Sequence, residues 1–141
     1  MANNCYRKST LTVLNTTPQL FTADGTILAP GGQIEKTGCS LVTSLQGIRI
    51  QSNGLYTASG AIAFTPSDAG IVTLAIYKGG SLLPCSVRMM NVASGVMYAL
   101  DAIAPAFEGE ACRIINPEVT VRISGVPGTI NRFCLNVTRL A

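Results

Sequence analysis

The chain of 141 residues has the length of one ordinary domain, enough to bury a core without metal or disulfide staples. Ten Lys and Arg against seven Asp and Glu leave a formal net charge of +3 that is spread along the chain, which argues against a nucleic-acid groove. Only 12% of residues are charged, against about 25% in a typical soluble domain, while 48% are hydrophobic and mean hydropathy is +0.38; since no stretch of about 18 residues is continuously apolar, this points to surface hidden against partners rather than to a membrane span.

Residues 1–8 are polar and lack the apolar segment of a secretory signal, so the expectation is synthesis in a cytoplasm. Residues 9–15 alternate, with Leu11 and Val13 on one side, and predict a first strand. A longer irregular stretch follows, with Pro18, Asp24-Gly25 and Pro30-Gly31-Gly32, and reads as loop and short edge strands. Residues 40–45 and 48–50 are further strands, closed by the turn signal Ser52-Asn53-Gly54. The clearest alternation covers 55–64: Tyr56, Ala58, Gly60, Ile62 and Phe64 face one way, and Leu55, Thr57, Ser59, Ala61 and Ala63 the other. Pro66-Ser67-Asp68-Ala69-Gly70 ends it. Residues 71–77 alternate again, and Gly79-Gly80 predicts a tight hairpin returning through 82–90. Strands at 95–103, 118–123 and 132–140 complete roughly eight, the even spacing of an all-β, two-sheet jelly-roll sandwich. No linker or repeat interrupts the chain, so 1–141 reads as a single domain, with 1–10 a possible N-terminal arm.

No charge occurs between Arg49 and Asp68, nor from Met89 to Leu100. The side opposite the large residues carries Thr57, Ser59, Ala61 and Ala63 on one strand, Met97 and Ala99 on another, and Cys134, Asn136 and Thr138 on the last. Exposed strands are normally protected with Lys or Glu, and these are not. Small, uncharged side chains suit close approach between subunits, where a charge has to be desolvated. These nine positions are therefore the candidate trimer interface; a plain solvated sheet face, rich in Ser and Thr, is the competing account.

Chemistry is sparse. The chain has no histidine, which removes the commonest general base, and the expectation is a protein that is not an enzyme and needs no cofactor. Five cysteines at wide spacings contain no Cys-x-x-Cys pair and read as small hydrophobes or free thiols rather than as a disulfide framework. Glu108 and Glu110 alone bring two carboxylates close, a weak calcium signal against a solvated loop, and no metal site is assigned. Gly79-Gly80 is not a phosphate loop, because no Lys-Ser or Lys-Thr follows it. Asn15-Thr16-Thr17 and Asn136-Val137-Thr138 match the glycosylation pattern, which carries weight only in a secreted chain. With no tryptophan, a carbohydrate or base-stacking platform is poorly equipped.

Residues 47–64 (GIRIQSNGLYTASGAIAF), 70–84 (GIVTLAIYKGGSLLP) and the closing 131–140 (NRFCLNVTRL) resemble the tumour necrosis factor-like and complement-head jelly rolls. There a Gly-x-Tyr strand opening precedes a strand ending in an Asn-Gly or Gly-Gly hairpin, and the last strand approaches a threefold axis. The resemblance covers about residues 40–141 and implies a compact homotrimer of the kind found in small phage and bacterial spore-surface proteins. Its expected role is capsid decoration: a cement on the virion exterior, gripping the major capsid protein or another particle surface protein, with Asn3, Asn4, Arg7 and Lys8 as the contact arm. The alternative is a receptor- or glycan-binding head on a phage fibre or spore surface. Neither role involves nucleic acid or membrane.

Overall fold

The computed structural model describes residues 8–109 and 117–141. Among them are β1 (Thr10–Asn15), β2 (Gln19–Phe21), β3 (Thr26–Ile27), β4 (Gly32–Thr37), β5 (Leu41–Thr43), β6 (Ile48–Ile50), β7 (Gly54–Pro66), β8 (Gly70–Lys78), β9 (Ser81–Leu82), β10 (Arg88–Val92), β11 (Tyr98–Gly109), β12 (Glu118–Ser124) and β13 (Gly128–Arg139). Eight of these have five or more residues and the other five are pieces of two or three; the eight include β4, in the stretch expected to be loop and short edge strands, whereas the strands expected at 40–45 and 48–50 are the three-residue β5 and β6. One sheet has the order β11-β7-β13-β1-β4, with β2 beside β13. The other runs β10-β8-β12-β6-β5, with β3 on β12 and β9 on β8. Every pairing is antiparallel.

The core follows from period-two alternation. From the first sheet come Leu11, Val13, Tyr56, Ala58, Ile62, Phe64, Phe133, Leu135 and Val137; from the second, Ile48, Ile50, Val72, Leu74, Ile76, Val119, Val121 and Ile123, all buried. Phe64 is central, edge-on to Phe21 (6.2 Å) and tilted against Tyr98 (5.8 Å). Gly60 faces inward against the second sheet: a Cβ there would sit 2.9 Å from Val121 Cγ2. The missing side chain sets how near β7 and β12 lie.

The Gly-Gly hairpin forms as expected, with Lys78 opposite Ser81 and both glycines at positive φ (59° and 83°). The strand expected over 82–90 does not. Pro84 cannot donate to a ladder, and one turn of 3-10 helix (Pro84–Ser86) interrupts it. Ser86 Oγ accepts from Ile76 N (2.8 Å) and donates to Leu83 O (2.6 Å), so a buried hydroxyl replaces the absent ladder bond. The strand expected from 95 starts at Tyr98, because Gly95 sits at a positive φ of 78° in a turn. The cysteines also depart from the free-thiol reading. Cys85 and Cys134 are free, but Cys39 is disulfide-bonded, its partner lying outside the described residues.

One end of the sandwich is closed by a polar cluster around Arg139, which is buried. Its Nη1 donates to Ser40 Oγ (3.1 Å) and Ser52 Oγ (3.4 Å), and its Nη2 to Asn53 O (2.7 Å). Tyr56 OH donates to Ser52 O (2.7 Å) and Ser52 Oγ to Ser40 Oγ (2.8 Å). These three acceptors, of which Ser40 is fully buried, thus share one cation. Replacing it with an apolar chain of similar length, Arg139→Met, is expected to cost about 2–4 kcal/mol, measured as a lower urea midpoint. Gly60→Ala and Val121→Ala are each expected to destabilise, and the double variant by less than their sum, since the second change vacates the space the first requires; strict additivity in denaturant melts contradicts the close approach.

Candidate interaction surface

The outward side of the first sheet collects the sequence-derived positions. Thr57, Ser59, Ala61 and Ala63 alternate outward along β7 because Tyr56, Ala58, Gly60, Ile62 and Phe64 are held in the core. In register, Ala63 lies opposite Ala99 on β11, Ala61 opposite Cys134 on β13, Ser59 opposite Asn136 and Thr57 opposite Thr138. Met97, just before β11, is 63% exposed. Eight of the nine residues therefore share one face across three neighbouring strands, and Met97 stands exposed just outside it. The neutrality expected of it is incomplete, however. The uncharged span 89–100 covers the end of β10, a turn and only the start of β11, and Asp101 follows on the outward side. A bulge between Ile130 and Arg132 shifts the register of β13 and turns Arg132 outward as well, beside Ala63.

Residues not singled out from sequence complete the face. Asn136 Nδ2 reaches Thr12 Oγ1 (2.8 Å) and Thr10 Oγ1 (3.0 Å), Thr10 Oγ1 lies 3.0 Å from Thr138 Oγ1, and Thr138 Oγ1 donates to Asn136 Oδ1 (2.9 Å). One set of proton positions satisfies all of them: the amide donates to Thr10, Thr10 to Thr138, and Thr138 back to the amide oxygen. A branch leaves through Thr12 Oγ1, which donates to Glu35 Oε1 on β4 (3.3 Å). The signal for this circuit was present as Thr-x-Thr near one end of the chain and Asn-x-Thr near the other; only the pairing of β1 with β13 joins them. Polar groups that satisfy one another surrender little when water is removed. Beside the circuit is a shallow hollow of about 170 Å³ lined by Ala61, Ile62, Ala63, Arg132 and Cys134.

A second feature lies at the edge of the same sheet. Leu83, Met90, Tyr98, Leu100 and Phe107 pack on the core yet remain partly exposed. They belong to β10, β11 and the short segment before the 3-10 helix, so apolar side chains remain partly uncovered along the β10 and β11 edges of the sandwich. There β11 bulges, Pro105 and Ala106 together opposing Thr57, and an apolar hollow of about 180 Å³ opens between Ala104–Phe107 and Leu83, Pro84 and Cys85. On the outer side of the other sheet, Ile71 and Met89 form another exposed apolar patch.

Of the expected contact arm only Lys8 is described; it is exposed and precedes β1, and Asn3, Asn4 and Arg7 lie outside the described residues. So does Glu110, while the backbone carbonyl of Glu108 accepts from Lys78 Nζ (2.6 Å). Among the described residues no cluster of three potential metal ligands occurs, and no helix is long and apolar enough to cross a membrane.

No family model matches the sequence, and no curated protein matches it significantly. The fold, by contrast, has many relatives among solved structures. Murine APRIL superposes with a TM-score of 0.68 at 13% identity, over 95% of this chain and all of the other. The Eiger TNF from S. frugiperda gives 0.65 at 11% identity, over 95% and 92%. PRD1 vertex protein P5 gives 0.64 at 13% identity, over 94% of this chain and 73% of that one. The two sheets, their strand order and these superpositions agree, and the chain has the tumour necrosis factor-like jelly-roll fold.

Proposed function

We propose that this chain is a non-enzymatic structural protein that assembles as a homotrimer and decorates the exterior of a virus capsid. The observation that carries the trimer is the face of β11, β7 and β13. Apart from Asp101 and Arg132 its centre is built largely of Ala, Ser and Thr, its amide and hydroxyls form a closed circuit with Thr10 of β1, and no lysine protects it. Beside it, apolar side chains of β10 and β11 that pack on the core stay partly exposed. A face that is easily desolvated and an edge that needs covering are complementary parts of a head-to-tail contact, and such contacts form a ring when the rotation from copy to copy closes. The particle role draws support from the vertex protein of PRD1, which shares the fold. In this reading Lys8 and the residues before it are the part that contacts the coat subunits.

Light scattering is expected to give three times the 14.7 kDa chain mass, and a stable single subunit at high concentration refutes the trimer. Ala61→Glu places a charge in the centre of the face and is expected to shift the protein to single subunits with its fold intact, whereas Lys8→Glu leaves the mass unchanged. For the particle role, the protein is expected to co-sediment with empty capsids of the virus that encodes it and to raise their melting temperature. Binding to host cells or glycans with no affinity for capsids would instead make it a recognition head.

A further inference from the structure

Two charges interrupt the otherwise neutral face, and their placement bears on which surface of a second copy meets it. On β11, β7 and β13, at the levels set by Thr57, Ser59, Ala61 and Ala63, the outward charged side chains are Asp101 and Arg132. Asp101 is exposed on β11, the edge strand; Arg132 is exposed on β13, two strands inward. Neither side chain makes a hydrogen bond or ion pair with another described residue. Asp101 lies at the level of Ala61, and Arg132 at the next level, that of Ala63. Two strand spacings and one such step separate their Cα atoms by about 12 Å within a copy, with only alanines between.

Resting on the trimer reading, we propose that Asp101 of one copy pairs with Arg132 of the next, and that this pair selects the β11 edge as the occupant of the neighbour's β7–β13 face. A closed ring is generated by pure rotation, which carries no displacement along its axis. With that axis along the strands, the β11 edge meets the next copy at its own level. Asp101 then arrives at the level of Ala61 and Cys134, one step of about 6.6 Å from the backbone of Arg132, within reach of an extended guanidinium. The hollow lined by Ala61, Ala63, Arg132 and Cys134 leaves room for the incoming carboxylate. Opposite charges on the two halves of a head-to-tail contact favour that contact, and they disfavour face-to-face or edge-to-edge pairing, which would bring like charges together.

Charge reversal tests the pair on the full chain by sedimentation. Asp101→Arg and Arg132→Asp are each expected to weaken assembly about a hundredfold, with thermal unfolding showing that both variants still fold. Mixing the two single variants is expected to restore trimers, because two of the three contacts in a mixed ring then join opposite charges. Rescue by the mixture supports a partner on another copy. Rescue only when both reversals sit in one chain places the pair within a copy and overturns the proposal. A parent trimer indifferent to either reversal overturns the pair but leaves the trimer standing, whereas a parent that sediments as a single subunit removes the trimer itself.

Discussion

Alternation along β7 constrains everything around it. Tyr56, Ile62 and Phe64 must face the second sheet to fill the core, and Gly60 must face it to let Val121 approach. Each inward residue fixes the direction of its neighbours, so Thr57, Ser59, Ala61 and Ala63 are turned out together as a consequence of core packing. Because β7 lies between β11 and β13, whatever it displays outward becomes the middle of a broad surface. The interior and the exterior of this strand are a single choice of register.

Two departures from regular pairing then give that surface its detail. The bulge on β13 turns Arg132 outward beside Cys134, where unbroken alternation from Ile130 would have aimed it into the core. The circuit through Asn136, Thr10 and Thr138 joins strands from opposite ends of the sequence and settles their polar groups without outside partners. The resulting face combines low polarity demand with two well-placed charges. Neither property depends on a catalytic group.

Much of this was legible from residue order. The two sides of β7 and β8, the Gly79-Gly80 hairpin and the outward set on β13 all follow from local alternation and turn chemistry. What was not legible depends on distant pairing. β4 (Gly32–Thr37) is exposed along its whole length and has no alternating pattern; it is a strand only because β1 pairs with it. The break at Pro84 was signalled by the proline, but not the role of Ser86, whose hydroxyl stands in for a ladder group of a strand ten residues away. Thr10 and Thr12 read as surface threonines until β13 is laid beside them. The disulfide of Cys39 could not be read from five widely spaced cysteines, since no spacing marks a pair.

The irregularity at Pro105 and Ala106 bears on how large any assembly of this protein can grow. An unpaired strand at a sheet margin is a template for another chain's backbone, and repeated pairing of that kind yields fibres. Here the margin is spoiled midway: two residues occupy the space of one, and a proline withholds the amide that an incoming strand would need. Backbone-to-backbone extension along β11 is thereby cut short, and contacts through this border must be made by side chains. Growth by strand addition stops there, which favours small finite complexes over filaments.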